Sequence, residues 1–208
     1  MTGKVISFEG IDGAGKTSTI KECKRRLRNM GLRITVVEEP GGCELGRWLK
    51  TILTENGKTV NDPWAEALLF LAARVENIRE LIEPERAKGK WVLIDRFVDS
   101  TIAYQGYGRG LDTDTLEEIY NRVSGRFYPD CTILLDCPVD VAETRIAQRA
   151  TKKSRWERLG RDFFERVRRG YLELAQNNQN RIVVVDASYD FPEVINSVMK
   201  ILESLVEW

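Results

Sequence analysis

Hydrophobic positions fall in short unbroken runs, separated by stretches where they recur every three or four residues. Lys4–Glu9 (KVISFE) is the first run and ends at a glycine-rich turn, which predicts a buried strand. Beyond Thr17, the apolar residues Ile20, Cys23 and Leu27 recur at helical spacing, and Gly31 marks the stop. Arg33–Val37 (RITVV), Trp91–Ile94 (WVLI), Cys131–Leu135 (CTILL) and Arg181–Val185 (RIVVV) predict four more strands. Helices are expected over Leu45–Leu53, from Trp64 to about Ile82, over Thr113–Val123, Val139–Arg149 and Arg161–Ala175, and from about Phe191 to Val206. A loop and short helix are expected from the end of the third strand through Ala103, and a basic loop over Ala150–Glu157. Asp62-Pro63 supplies a cap and a proline at the first helical position. Pro84 is expected to end or kink the helix before it. Strands alternate with helices, and the strands are continuously apolar rather than alternating. That pattern predicts the α/β class, a three-layer sandwich whose five-stranded parallel sheet is covered on both faces. With no internal repeat, low-complexity tract or flexible linker, residues 1–208 read as one domain.

Charge and composition narrow the function. Lysine plus arginine equals aspartate plus glutamate, 32 of each, so the basic excess of a duplex-DNA binder is missing and no nucleic-acid partner is expected. The basic residues are unevenly spread: ten of them against three acids lie between Arg145 and Arg169. That run reads either as a solvated helix face or as a site for a polyanion. Met1-Thr2-Gly3-Lys4 leads straight into the first strand, so no leader is expected. No apolar stretch approaches the roughly 18 residues needed to span a bilayer, so no membrane partner is expected either. Cys23, Cys43, Cys131 and Cys137 form no C-x-x-C pair and read as reduced structural thiols of a cytoplasmic protein. The chain has no histidine, which excludes Ser-His-Asp and Cys-His nucleophiles and His-ligated zinc. Phosphoryl transfer remains open, because it runs on positioning and charge neutralisation.

One stretch points to that chemistry. Gly10-Ile11-Asp12-Gly13-Ala14-Gly15-Lys16-Thr17 fits G-x-x-x-x-G-K-[ST] between a predicted strand and a predicted helix, the context that this phosphate loop requires. Glycines let successive N–H groups point inward at phosphate oxygens, and the start of the following helix adds partial positive charge. Lys16 is expected to reach the β- and γ-phosphates, and Thr17 to offer its hydroxyl to Mg²⁺. The loop alone does not separate a kinase from a nucleotide switch. No Asn is followed by Lys, so an N-K-x-D segment is absent, and no D-x-x-G occurs outside the loop. A kinase needs a second anion site, for its acceptor.

Three further segments fall where an open α/β sheet binds ligands or on the long helix. They are Glu38-Glu39-Pro40-Gly41-Gly42, Leu69-Phe70-Leu71-Ala72-Ala73-Arg74 and Asp95-Arg96-Phe97-Val98-Asp99-Ser100-Thr101-Ile102-Ala103-Tyr104-Gln105-Gly106. In this order and spacing, together with the phosphate loop, they resemble the thymidylate kinase family over essentially the whole chain. The resemblance implies the P-loop nucleoside monophosphate kinase fold with a LID at about 149–160. It implies transfer of phosphate from ATP to dTMP, with Mg²⁺ and a homodimer. It also implies roles: Phe70 stacks on thymine, Arg74 donates to a thymine carbonyl, and Ser100, Thr101 and Gln105 read the polar edge of the base. Tyr104 would pack beside the sugar, Arg96 would clamp the acceptor phosphate, and Asp95 would lie near Mg²⁺. Asp12, Glu39 and Pro40 would face the same cleft. The residues themselves leave other readings open, since Phe70 also suits a core, and Asp95-Arg96 suits a salt bridge at a strand end.

The loop positions Ile11, Asp12, Gly13 and Ala14 carry no basic residue, so cationic help at the moving phosphoryl group must come from elsewhere. Arg155 matches the LID arginine of the family, with Arg149 and Lys153 as secondary candidates. Two departures weaken the acceptor side: Glu38 stands where the family usually has arginine, and Lys50 where a second arginine is usual. Alternatives are a kinase for another pyrimidine monophosphate such as dUMP, or a regulatory NTPase with no nucleotide acceptor.

Overall fold

The computed structural model describes residues 3–55, 60–148 and 158–206. Five strands lie among them: β1 (Val5–Glu9), β2 (Ile34–Glu38), β3 (Trp91–Asp95), β4 (Cys131–Asp136) and β5 (Ile182–Asp186). They form one parallel sheet in the order β2-β3-β1-β4-β5. The helices are α1 (Lys16–Asn29), α2 (Glu44–Lys50), α3 (Pro63–Asn77), α4 (Glu83–Ala87), α5 (Val98–Thr101), α6 (Thr113–Ser124), α7 (Val139–Ala147), α8 (Arg161–Asn177) and α9 (Phe191–Ser204). Helices α1 and α9 pack on each other and on the sheet, while α3, α5 and α8 build the other layer. The expected α/β sandwich is the architecture found.

Central strand β1 has no exposed residue, and its Val5, Ile6 and Phe8 belong to the main core. Its polar Ser7 is buried too, but shares a hydrogen bond with Thr132 of β4 at 2.7 Å, so nothing polar is left unpaired there. The edge strands differ from the expectation of full burial: Val36 of β2 and Val183 and Val184 of β5 are partly exposed, because an edge strand has less of the sheet and its helices around it.

The strands run one residue further than their apolar runs, to Glu38, Asp95, Asp136 and Asp186. Backbone pairing continues after burial stops, so a polarity count ends too early. The register places Glu38 beside Asp95 and Asp136 beside Asp186, all at one edge of the sheet.

Pro84 does not end its helix. Helix α3 passes through a π-helical segment, Ile78–Ile82, into α4, which carries Pro84 in its first turn. The wider π turn shifts the carbonyl that the proline ring would meet in a regular helix. A second π-helical segment, Ile102–Gly108, extends α5 well past Ala103 and holds Tyr104 and Gln105, and a third, Thr51–Glu55, follows α2. Asp62 caps α3 as expected, accepting from the Ala65 N–H at 2.9 Å. Residues 149–157 of the expected LID lie outside the described residues, and Arg149, Lys153 and Arg155 with them.

A buried ion pair ties α5 to the entry of β5. Arg181 Nη1 and Nη2 donate to Asp99 Oδ2 and Oδ1 at 2.7 and 2.8 Å, and Nη1 also donates to Thr132 at 2.8 Å. The guanidinium lies 5.1 Å from the centre of the Tyr128 ring. Arg181→Met would leave the buried Asp99 carboxylate with Thr132 alone. Urea unfolding should show a loss of roughly 3–5 kcal/mol at unchanged slope.

Candidate active site

The phosphate loop joins β1 to α1. Gly15 takes φ 94° at the helix start, a left-handed conformation that glycine adopts without strain, and no side chain caps the helix. The first N–H groups of α1 are therefore left for a ligand. Gly13 has φ 90°, and a Cβ there would stand 2.6 Å from the Ala142 carbonyl oxygen, so the loop lies directly on α7. Lys16 is only 7% exposed and donates to the Gly10 and Ile11 carbonyls at 3.0 and 2.9 Å. Burial, helped by the nearby Arg96 charge, lowers its pKa to about 8. Thr17 donates to Asp95 Oδ2 at 2.9 Å. That hydroxyl and carboxylate are hard oxygen donors, which suit Mg²⁺. Among the described residues no group of three or more His, Cys, Asp or Glu gathers into a metal cage.

Opposite the loop stands Arg96, at the end of β3 with φ 70°. A non-glycine residue in that region costs about 1–3 kcal/mol and needs surrounding structure to hold it. Its N–H donates to the Phe8 carbonyl at 3.1 Å. Its Nη1 donates to the Gly10 carbonyl at 3.2 Å and to the Ser100 and Tyr171 hydroxyls at 3.3 Å each. Its Nη2 donates to Asp12 Oδ1 and, at 3.1 Å, to Tyr104. The guanidinium lies 4.8 Å from the centre of the Tyr104 ring. The Asp12 N–H reaches the same Tyr104 hydroxyl at 3.2 Å. Asp12, Lys16, Thr17, Glu39, Asp95 and Arg96 thus share one cleft of about 220 Å³, together with Gly13, Gly15, Ser18 and Glu38.

The other expected acceptor residues line up beyond it. Arg74, 2% exposed, donates to Glu39 Oε2 at 2.7 Å and to Thr101 at 2.8 Å. Asn77 donates to the other Glu39 oxygen at 3.3 Å. Burial raises the Glu39 pKa, and Arg74 and Asn77 oppose that shift. Pro40 follows through a cis peptide bond. Phe70 is half-buried on α3, one turn before Arg74, and packs against both apolar clusters. Gln105 donates to buried Glu66 at 3.0 Å, and Arg109 donates to the same carboxylate at 3.1 Å. Lys50 pairs with Glu38 at 2.5 Å. Ser100 lies beneath Arg96, bonded to Glu9 at 2.5 Å and to Tyr171 at 2.7 Å.

Sequence reasoning passed over Glu9, Glu66, Tyr171 and Arg145. A carboxylate ending an otherwise apolar strand was the available signal for Glu9. Arg145 opened the basic run but carried no motif. It donates to the Ala187 carbonyl at 2.8 Å and borders a second, largely apolar cleft of about 210 Å³. That cleft lies behind the loop, between Gly15 and Ser18 on one side and Tyr189, Phe191 and Val194 on the other.

Known proteins show the same construction. A family description of thymidylate kinases matches residues 8–198. The chain is 44% identical over 193 residues to the thymidylate kinase of Citrifermentans bemidjiense, covering 90% of this chain and 86% of that one. It is 42% identical over 205 residues to that of Geobacter sulfurreducens, covering 96% of each. A crystal structure of the Ehrlichia chaffeensis thymidylate kinase superposes with a TM-score of 0.78 at 31% identity, over 98% of this chain and 99% of that one. Loop, cleft and whole-chain likeness agree: the chain belongs to the thymidylate kinase family.

Proposed function

We infer that the cleft brings the phosphate chains of two nucleotides together and moves the terminal phosphoryl group of ATP onto dTMP, giving dTDP and ADP. One observation carries this reading: the uncapped start of α1, Lys16 and the Arg96 guanidinium converge on a single cleft. The α1 amides and Lys16 take the triphosphate. The cleft bordered by Arg145 and Tyr189 takes the donor base, where the apolar lining suits a flat ring. Arg96 takes the acceptor phosphate, exchanging the Asp12 carboxylate for phosphate oxygens of matching geometry. Phe70, Arg74, Thr101, Tyr104 and Gln105 form the thymidine side, with Glu39 holding Arg74, Pro40 next to Glu39 in the chain, and Lys50 at the rim.

The acceptor oxygen is already ionised, so no general base is required. Thr17 and Asp95 are the residues that would hold Mg²⁺, which supplies charge neutralisation on the phosphates when bound. Arg155, with Arg149 and Lys153, supplies further positive charge from the LID and closes the site against water. A homodimer completes the reading, and the exposed Leu45, Trp48 and Leu68 of α2 and α3 are the apolar side chains that such pairing would cover.

An ADP-release assay with dTMP, dUMP, dCMP and dGMP side by side tests the acceptor. dTMP should lead dUMP by about 10–200-fold in kcat/KM, the range that one methyl group in an apolar pocket supports. ATP hydrolysis indifferent to all four nucleotides would favour the regulatory alternative. Arg96→Ala should cut kcat/KM for dTMP by about 100-fold or more, as two charged hydrogen bonds are lost. Arg155→Ala should instead lower kcat by roughly 10³ with a smaller change in KM for dTMP. Steady-state kinetics of both variants separate these roles. Lys16 loses its charge as pH rises through about 8 in the free enzyme. A pH–rate series should therefore show kcat/KM for ATP falling on that alkaline limb.

A further inference from the structure

Glu9 has no exposed surface, ends β1 and precedes the phosphate loop, yet it touches neither cleft. Its two oxygens divide their partners. Oε1 accepts from the Phe97 N–H at 2.6 Å, the peptide immediately after the strained Arg96. Oε2 accepts from the Ser100 hydroxyl at 2.5 Å and from the Tyr171 hydroxyl at 3.1 Å. Those two hydroxyls lie 2.7 Å apart and each accepts from Arg96 Nη1 at 3.3 Å. A carboxylate from β1, a hydroxyl from α5 and a hydroxyl from α8 thus form a layer beneath one guanidinium nitrogen.

We propose that Glu9 is the positioning residue of this enzyme, holding the Arg96 backbone through Phe97 and aiming its guanidinium into the cleft through the Ser100 and Tyr171 hydroxyls. The inference rests on the reading of Arg96 as the clamp for the acceptor phosphate. The contacts and charge of this layer support it. With Glu9 ionised, the Ser100 and Tyr171 hydrogens point into the triangle that the two hydroxyls make with Oε2, and each hydroxyl oxygen keeps a lone pair for Nη1. Protonation of Glu9 removes the negative charge that strengthens these bonds and turns one of its acceptor oxygens into a donor, so the layer beneath Nη1 loses its charge-assisted hydrogen bonds. Asp12 cannot do this work during turnover, because it faces the cleft where phosphate enters. Glu9 lies underneath and is not displaced. This also moves Ser100 from reading the base to supporting the clamp.

The charged and titratable groups around Glu9 are Asp99 on α5, Arg96 after β3, Lys16 at the start of α1, Arg181 before β5 and Tyr171 on α8. Burial and the Asp99 charge raise the Glu9 pKa to about 7, against the pull of Ser100, Arg96 and the Phe97 N–H. Falling pH through that value protonates it and loosens the clamp.

The experiment compares Glu9→Gln, Glu9→Asp and Tyr171→Phe with the unchanged enzyme, all checked for folding by urea unfolding. Glu9→Gln should raise KM for dTMP about tenfold, leave KM for ATP near its starting value, and be partly rescued by Glu9→Asp. Tyr171→Phe, which removes one oxygen, should give a smaller rise in the same constant. In the unchanged enzyme, kcat/KM for dTMP should fall with an acid limb near pH 7. In Glu9→Gln that limb should vanish and leave only the limb of the substrate phosphate near pH 6. Folded Glu9→Gln and Tyr171→Phe variants with unchanged KM for dTMP and an unchanged acid limb overturn the inference while the clamp reading stands. If Arg96→Ala also leaves dTMP kinetics intact, the clamp reading falls and takes the inference with it.

Discussion

Five strands running the same way bring five strand ends to one edge of the sheet, and every one of those ends is a carboxylate: Glu9, Glu38, Asp95, Asp136 and Asp186. A row of acids is a poor place to bind polyanions unless each is answered. Each is. Lys50 pairs with Glu38, Thr17 donates to Asp95, and Arg168 forks onto both oxygens of Asp136 at 2.7 and 2.8 Å. Ser188 donates to Asp186 through its N–H and its hydroxyl. Glu9 is satisfied from below by two hydroxyls and a backbone N–H. With the acids occupied, the α1 amides, Lys16 and Arg96 are the groups that set the sign of the cleft.

Arg96 is where this balance is most exposed. Burial alone would depress its protonation, but Tyr104, Asp12, Tyr171 and Asp95 around it more than reverse that, and it stays a cation. Five hydrogen bonds from its two terminal nitrogens fix its direction before any ligand arrives. Such preorganisation is how a binding site avoids ordering a long side chain at the moment of binding. Glu38 and Lys50, the two positions where the resemblance implies arginine, are in contact with each other. Glu38 and Lys50 form a pair on the cleft rim, and Glu38 is 60% exposed, so the pair adds little stability. Its consequence is electrostatic: Glu38 offsets much of the Lys50 charge at the cleft rim.

Two of the three π-helical segments among the described residues serve the same geometry. Ile102–Gly108 turns Tyr104 toward Asp12 and Arg96 and Gln105 toward Glu66, which neighbouring positions of a regular helix would place about 100° apart and with different reach. Ile78–Ile82 lets the helical run continue past Pro84, so that Arg74 and Asn77 lie within it and not at its end. Nothing in the local pattern around either segment announces a π turn, because it differs from an α turn by one residue of hydrogen-bond register and not by polarity.

The sequence by itself determined the alternation of strands and helices, the phosphate loop with Lys16 and Thr17, and Arg96 at a strand end. These are local signals: a run of apolar residues, a fixed glycine spacing, a charged residue after a strand. Only the tertiary structure decided what those residues do to each other. Glu9 and Tyr171 are 162 positions apart, Arg74 and Glu39 are 35 apart, and Arg96 and Asp12 are 84 apart. No periodicity connects such pairs, since their contact is created by strand order and by helices crossing back over the sheet. Whether a buried carboxylate meets an open cleft or a layer of hydroxyls is likewise decided by packing.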